Sequence, residues 1–211
     1  MRAPALTFMG LFLAACPTST GETTQAIAHA PWLGSPMEDA HSSPTAVARR
    51  GIAYFAGGCF WGVEHYLEQL GGVHEVVSGY MGGHVDSPSY NDVSNWDSGH
   101  LETVRVSFDP SRVSYVTVAR RFFEIHDPTQ VGHQGPDIGP QYQSAVFYVN
   151  EEQRHTARRL IERLVERGYA VVTTVRPAQQ FWSAEDHHQD YYEKSNKTPY
   201  CHTQVNRFTG G

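Results

Sequence analysis

Apolar positions along the chain follow two alternating periods from about residue 51 onward. Helical spacing predicts a helix from Phe60 to Leu70, a second over 113–126, and a third between the N-cap Asn150 and Gly168. Period-2 alternation or short apolar runs predict strands at 52–56, 73–80, 101–108, 144–149 and 169–175. Residues 179–194 also predict a helix, and the tail after residue 195 has no regular pattern.

This order of elements is β-α-β-β-α-β followed by α-β. It is typical of a split βαβ, or ferredoxin-like, plait with an added helix-strand unit and an irregular C-terminal tail. We therefore predict an α+β fold, a two-layer α/β sandwich with the helices on one face of a mixed sheet. Two polar loops span residues 82–100 and 127–143. Because loops of this length in a compact domain are usually functional, we predict that both contribute to function.

The first residues, MRAPALTFMGLFLAAC, have the pattern of an export signal: a basic residue, a short apolar stretch and small residues before Cys16. The end of this stretch resembles a bacterial lipobox, whose cysteine is lipidated. We predict a lipoprotein signal peptide over 1–15, lipidation of Cys16, a flexible Ser/Thr/Pro-rich tether over 16–50 and a folded domain over 51–211. The protein would then be exported and anchored in the cell envelope or periplasm. The alternative is an ordinary cleaved signal with an incidental cysteine.

Composition narrows the possible partners. The chain of 211 residues has a net charge of −6 and only two lysines, which argues against binding to nucleic acid or to an anionic membrane surface. Any membrane contact would be made through the N-terminal lipid alone. A hydrophobic content of 40% is enough for one well-packed domain plus a tail, and nothing in the pattern requires more than a monomer.

Two cysteines, Cys59 and Cys201, belong to the predicted domain, and they are either a structural bridge or a catalytic pair. Cys59 follows a Gly-Gly turn and would begin the first helix, where unpaired amides and the helix dipole stabilise a thiolate. Phe60 and Trp61 would give it an apolar surface suited to a methyl or thioether group. The alternative is a small buried cysteine in the core.

Glu102 shares one face of its predicted strand with Val104, Val106 and Phe108. If that face is buried, desolvation would raise the pKa of Glu102 and allow it to act as a general acid. If the strand end meets solvent, Glu102 is an ordinary surface carboxylate.

The two polar loops carry further candidates. Tyr90, Asp137 and Tyr142 could line a pocket, or could serve only in packing. The histidines in the run 186–190 point in different directions on a helix, and neither cysteine has a CxxC partner, so we predict no metal site.

Several segments, taken together and in order, are similar to the A class of peptide-methionine sulfoxide reductases. The similarity covers about residues 52–204. It is carried by GGCFWGVE, GYMGG, SPSYNDV, GHLETVRVSFDP, FFEIHDPTQ, GPDIGPQYQSAVFY, AEDHHQDYY and YCH.

The resemblance implies thiol-dependent reduction of the S epimer of methionine sulfoxide, free or in proteins, without a cofactor. Cys59 matches the nucleophile, Glu102 the general acid, and Cys201 the cysteine that resolves the sulfenic acid to a disulfide. Phe60 and Trp61 match the family residues that bind the methyl group, and Tyr90 and Tyr142 match those that bind the sulfoxide oxygen. Asp137 matches a carboxylate of the substrate-binding network. The resemblance also implies thioredoxin or a thioredoxin-like reductant as partner, and repair of oxidised exported proteins.

This chain departs from the family pattern in four places, of which one is the serines of SPSY where Asn-Pro-Thr-Tyr is common. Met81 replaces the usual alanine, the tail carries no second cysteine after Cys201, and the lipobox is unusual. Any disulfide relay would therefore end at Cys201, and an exported thioredoxin-like protein would have to act as the donor.

Two other function classes remain open from the residues alone. A cysteine hydrolase or acyltransferase would pair Cys59 with one of the twelve histidines. A non-enzymatic surface lipoprotein would use Cys59 and Cys201 as a stabilising disulfide.

Overall fold

The computed structural model describes residues 50–209. The predicted signal peptide, the lipidation site Cys16 and all of the predicted tether except Arg50 lie outside the described residues. Within 50–209, no helix combines the length and the apolar composition that a membrane crossing requires.

The described chain forms eight strands and five helices. The strands are β1 Gly51–Ala56, β2 Val73–Met81, β3 Leu101–Phe108, β4 His133–Gln134, β5 Asp137–Ile138, β6 Ala145–Tyr148, β7 Thr174–Pro177 and β8 Trp182–Ser183. The helices are α1 Phe60–Glu68, α2 Tyr90–Ser94, α3 Tyr115–Ile125, α4 Glu151–Glu166 and α5 Tyr191–Ser195. Single 3-10 turns lie at Pro140–Tyr142 and Asp186–His188.

The main sheet has the strand order β7-β6-β1-β3-β2-β8. Its four central strands pair antiparallel, and together with α1 and α3 they form the β-α-β-β-α-β plait. β7 adds to the edge next to β6 in parallel orientation, reached through α4. The predicted α+β sandwich with an added helix-strand unit is therefore confirmed.

The core lies between the sheet and a layer that contains α1, α3 and α4. Val104 and Val106 of β3 pack there against apolar residues from those helices, including Leu67, Phe122 and Leu164. Because side chains alternate along a strand, Glu102 projects from the same face of β3 as these valines. The sheet therefore presents this carboxyl toward the helix layer.

Three of the predicted elements differ from the structure. Residues 179–194 do not form one helix, because Trp182 pairs with Tyr80 of β2 and Asp190 takes a left-handed conformation with φ of 52°. The loop 82–100 contains the short helix α2, whose start is fixed by a capping box between Ser89 and Asp92. The strand predicted over 169–175 is β7, which begins at Thr174, five residues later than predicted.

Glu64 is a buried carboxyl on α1, with 1% of its surface exposed. Its Oε2 accepts the N–H of Asp190 at 2.9 Å. Burial, together with repulsion from Glu68, raises the pKa of Glu64 to about 8. The folded protein thus holds a proton at this position that the unfolded chain releases near its ordinary pKa of 4.5.

We expect Glu64→Gln to stabilise the fold at alkaline pH. Between about pH 4.5 and 8 the folded state binds the extra proton, so wild-type stability falls as pH rises through this window. Glutamine does not ionise, and one pKa unit corresponds to about 1.4 kcal/mol, so the gain should reach about 2–4 kcal/mol near pH 8 and be small near pH 5. Thermal melts at the two pH values measure it as a shift of about 5–10 °C.

The matched control is Glu152→Gln, which changes an exposed glutamate at the start of α4. This variant should melt like the wild type at both pH values. An equal gain for Glu64→Gln at pH 5 and pH 8 would contradict the assignment of a proton to the buried carboxyl.

Candidate active site

Cys59 lies in the turn between β1 and α1 and is the N-cap residue of α1. The turn depends on Gly58, whose φ of +96° is accessible to glycine at little cost. A Cβ at this position would also approach Gln134 Cγ to 2.5 Å. The Gly-Gly pair therefore places Cys59 at the helix N-terminus, where the sequence predicts it.

Three potential ligand groups meet at this point. The sulfurs of Cys59 and Cys201 and a carboxylate oxygen of Asp137 all lie within 4.8 Å of one another. Both cysteines are free thiols and both are buried, Cys59 with 6% and Cys201 with 9% of its surface exposed. Among residues 50–209 this is the one group of three side chains close enough to share a metal ion, and it coincides with the thiol pair.

The two thiols share a hydrogen bond in which Cys59 donates to the sulfur of Cys201. This bond, burial and the nearby Glu102 raise the pKa of Cys59, while the N–H of Trp61 acts in the opposite direction. The same bond, helped by His202 and opposed by burial, lowers the pKa of Cys201. Both shifts arise from the interaction between the two thiols, so Cys59 and Cys201 titrate as a pair. The helix N-terminus is one of several influences on Cys59, and a thiolate at this position stays a prediction.

Glu102 is 2% exposed and lies next to the start of α1. Its Oε2 accepts the N–H of Phe60, the first residue of the helix, at 3.0 Å. Burial raises the pKa of Glu102 to about 8, with the Phe60 N–H opposing and Asp137 and Cys201 adding repulsion. At neutral pH this carboxyl therefore carries a proton beside the thiol pair, and it is not a surface carboxylate.

Phe60 and Trp61 contribute to an aromatic wall near the thiol. Phe60 is 1% exposed, and Trp61 stacks on Tyr191 with 3.7 Å between ring centroids and 7° between planes. Trp61 Nε1 donates to His188 Nδ1 at 3.2 Å, and the His188 ring lies 5.2 Å from that of Phe60. His188 of the Asp-His-His run is thus a wall residue, and burial lowers its pKa, which keeps the ring neutral.

The loop residues converge on the same point. Tyr142 hydrogen-bonds to Tyr90, and burial raises the pKa of both phenols, so both hold their protons. Asp137 Oδ1 accepts the hydroxyl of Tyr200 at 3.0 Å, whereas its Oδ2 is buried without a hydrogen-bond partner. Phenol donors and a free carboxylate oxygen thus flank the thiol pair, and every site residue predicted within 50–209 is brought together.

Four residues of the site were not predicted. Tyr80, opposite Glu102 in the sheet, donates its hydroxyl to Glu185 at 2.9 Å, and Glu185 also accepts the N–H of Tyr90 at 2.9 Å. His188 and His202 approach Trp61 and Cys201, respectively. Their signal in the sequence is only that they lie within the blocks GYMGG, AEDHHQDYY and YCH, because no spacing rule singles them out.

Comparisons with known proteins agree with one another. A family model described as peptide methionine sulfoxide reductase matches residues 51–210. The peptide methionine sulfoxide reductase MsrA of Chromobacterium violaceum is 49% identical over 152 residues, covering 71% of this chain and 86% of the relative. The MsrA of Saccharolobus solfataricus is 46% identical over 151 residues, covering 71% of this chain and 85% of the relative.

Solved structures give the same match. The reduced form of Mxr1 from Saccharomyces cerevisiae superposes with a TM-score of 0.70 at 32% identity, over 76% of this chain and 94% of that one. Methionine sulfoxide reductase A of Corynebacterium diphtheriae gives a TM-score of 0.64 at 28% identity, over 77% of this chain and 84% of that one.

Proposed function

Since this chain belongs to the peptide methionine sulfoxide reductase family and is a peptide-methionine (S)-S-oxide reductase, we propose the part that each site residue plays in the reaction. Cys59 attacks the sulfoxide sulfur, Glu102 protonates the sulfoxide oxygen, and Cys201 resolves the sulfenic acid that forms on Cys59. The observation that carries this proposal is the meeting of two free thiols with a buried, protonated glutamate at the N-terminus of α1.

The attack requires Cys59 to lose its proton. The hydrogen bond to Cys201 gives this proton a direct acceptor, and the N–H of Trp61 stabilises the thiolate that forms. Protonated Glu102 adds no negative charge next to that thiolate. Cys59 is thus able to ionise at the moment of attack.

The oxygen of a sulfoxide must gain a proton as the sulfur is attacked. Glu102 supplies it, and the hydroxyls of Tyr90 and Tyr142 stabilise the charge on the oxygen. The protonated oxygen is then transferred from the substrate sulfur to the Cys59 sulfur, while the bond between the two sulfurs breaks. Methionine leaves, and Cys59 is left as a sulfenic acid.

The wall of Phe60 and Trp61 selects the substrate. Two aromatic faces fixed by Tyr191 and His188 contact the methyl group of the sulfoxide, and the unpartnered Asp137 Oδ2 binds a donor on the substrate main chain. The groups that donate to the sulfoxide oxygen and the aromatic wall that contacts the methyl group have fixed positions. Only one configuration at the sulfoxide sulfur therefore fits the site. Free and protein-bound methionine sulfoxide would both be substrates.

Resolution and reduction complete the cycle. Cys201 displaces the oxygen from Cys59 and forms a disulfide, which a dithiol of the thioredoxin class reduces. The electrons therefore come from the chain's own thiols and then from this partner, without a bound cofactor. The partner would attack this disulfide directly.

We further propose that the enzyme works outside the cytoplasm as a monomer held by a lipid on Cys16. Residues 1–15 would be removed as a signal peptide, and residues 16–50 would form the tether. The lipobox-like residues before Cys16 support this placement. Its substrates would be oxidised exported proteins, and its donor an exported thioredoxin-like protein.

Racemic methionine sulfoxide with dithiothreitol tests the activity. We expect consumption to stop near half of the sulfoxide, because only the S epimer presents its oxygen to Glu102 while its methyl contacts the aromatic wall. Chiral chromatography of both epimers against time measures this. The control is Cys59→Ser, which should consume neither epimer. Loss of both epimers with the wild type would contradict the proposed pocket.

A further inference from the structure

His202 joins the thiol of Cys201 to the turn that carries Cys59. The ring is 2% exposed, with Nδ1 3.0 Å from Cys201 Sγ and Nε2 2.8 Å from the carbonyl oxygen of Gly57. Gly57 immediately precedes the Gly58-Cys59 turn. One imidazole therefore contacts both segments that meet in the thiol pair.

The second of these contacts determines the tautomer. A carbonyl oxygen only accepts hydrogen bonds, so Nε2 carries a proton. In the neutral ring Nδ1 then has a lone pair directed at Cys201 and accepts the thiol proton. In the charged ring both nitrogens donate, to the sulfur and to Gly57, so both protonation states keep both contacts.

The GCFWG segment leaves room for this ring. A Cβ on Gly62 would lie 2.2 Å from His202 Nδ1, so any side chain at this position would displace the imidazole. The His202 ring thus occupies the space that a side chain at position 62 would fill. The ring is held on one side by α1 and on the other by the Cys201 sulfur.

We propose that His202 is the base, and then the acid, of the resolution step, an inference that rests on the proposed function. His202 Nδ1 takes the proton from the Cys201 thiol, and the resulting thiolate attacks the sulfur of Cys59. The Cys59 S–O bond breaks as the S–S bond forms. The departing hydroxide takes up the Nδ1 proton and leaves as water, and the imidazole returns to its neutral form.

The surroundings of the pair agree with this assignment. The titratable groups that face it are Cys59, Glu102, Asp137, His126, Tyr192 and Tyr200. Of these, Glu102 and the tyrosines are protonated near neutral pH, and burial lowers the pKa of His126 to about 3, which leaves it neutral. The hydrogen bond from Cys59 lowers the pKa of Cys201, and His202 lowers it further.

A single turnover without reductant tests the proposal in the full chain. Reduced protein is mixed with one equivalent of the S sulfoxide and quenched in acid, and the methionine released and the thiols remaining are counted in the same sample. In His202→Gln, whose amide can still donate to Gly57 but cannot take up the thiol proton, we expect disulfide formation to be about 100-fold slower near pH 6.5. The rate should rise about tenfold per pH unit as the Cys201 thiolate forms unaided, and approach the wild-type rate near pH 9.

The control is His155→Gln, which changes an exposed histidine on α4 and should resolve like the wild type. An unchanged rate in His202→Gln, or a rate lowered equally at every pH, would overturn the proposal, because a purely positioning contact has no such pH profile. Release of no methionine by the wild type would instead show that the proposed function fails.

A second measurement keeps His202 in place. In Cys59→Ala, which removes the other sulfur and its hydrogen bond, iodoacetamide should alkylate Cys201 with a pH midpoint below the ordinary thiol pKa, because His202 still favours the thiolate. A titration with a midpoint near the ordinary thiol pKa of about 8.5 would overturn the proposal even if His202→Gln does not fold.

Discussion

Glu102→Gln is expected to lower kcat/KM for the S sulfoxide by about 10²- to 10⁴-fold at neutral pH. Glutamine keeps the shape of the side chain and can still accept the N–H of Phe60, but it has no proton to give to the sulfoxide oxygen. The loss should therefore fall on the chemical step, with kcat lowered far more than KM is raised. Steady-state rates with dithiothreitol measure it.

The pH profile identifies the group responsible. Because the pKa of Glu102 is raised to about 8, the wild-type rate should fall as pH increases through this value, when the acid loses its proton. The ratio of wild-type to variant rate should be largest below about pH 8 and shrink above it. In the variant the fall near pH 8 should be absent.

Glu64→Gln is the matched control for this experiment. Glu64 is also buried, its pKa is also raised to about 8, and it lies on the helix whose first N–H binds Glu102, but its Oε2 accepts the N–H of Asp190. Its variant should keep a rate within a few-fold of the wild type and retain the fall near pH 8. A full rate in Glu102→Gln would remove the general-acid assignment.

Local rules were sufficient to predict where Cys59 and Glu102 lie. A Gly-Gly pair followed by helical spacing places Cys59 at the N-terminus of α1, and period-2 alternation places Glu102 on the same face as Val104 and Val106. Both signals act within a few residues of the chain. The central plait follows from the same two periodicities.

The protonation of the pair could not be predicted from these rules. The helix N-terminus is one of several interactions of Cys59, and burial, the hydrogen bond to Cys201 and, once it ionises, Glu102 oppose it. These opposing groups come from β3 and from the tail, which is 142 residues away along the chain. The position of the negative charge in a thiol pair is thus a property of the assembled site.

The same reason explains the prediction that failed between residues 179 and 194. The composition of this segment favours a helix, but Trp182 pairs with the edge of β2. The side-chain amide of Gln189 also accepts the N–H of Ser78 and donates to its carbonyl oxygen. Pairing with a strand about 100 residues earlier overrides a weak local propensity. The residues that this segment brings to the site, Glu185 and His188, were missed with it.

Cys201→Ser is expected to reduce recycling by a thioredoxin-type dithiol to the level of a single turnover. Without the resolving sulfur, the sulfenic acid on Cys59 remains, and it is buried among Glu102, Asp137 and the aromatic wall, where a protein dithiol has poor access. The first attack should still release one equivalent of methionine, because loss of the Cys201 sulfur removes the main interaction that raises the pKa of Cys59.

The outcome separates the three function classes that the residues alone leave open. Methionine released per protein should level off near one with the dithiol protein, and a sulfenic-acid reagent such as dimedone should label Cys59 in the variant and not in the wild type. A cysteine hydrolase would need no sulfur at position 201, and in an inert lipoprotein the substitution would change only stability, by about 2–4 kcal/mol for a lost disulfide. Unchanged multiple turnover in Cys201→Ser would therefore exclude the resolving function. A single burst followed by a stall would instead show that recycling needs a second thiol within reach of Cys59, and the position of Cys201 provides it.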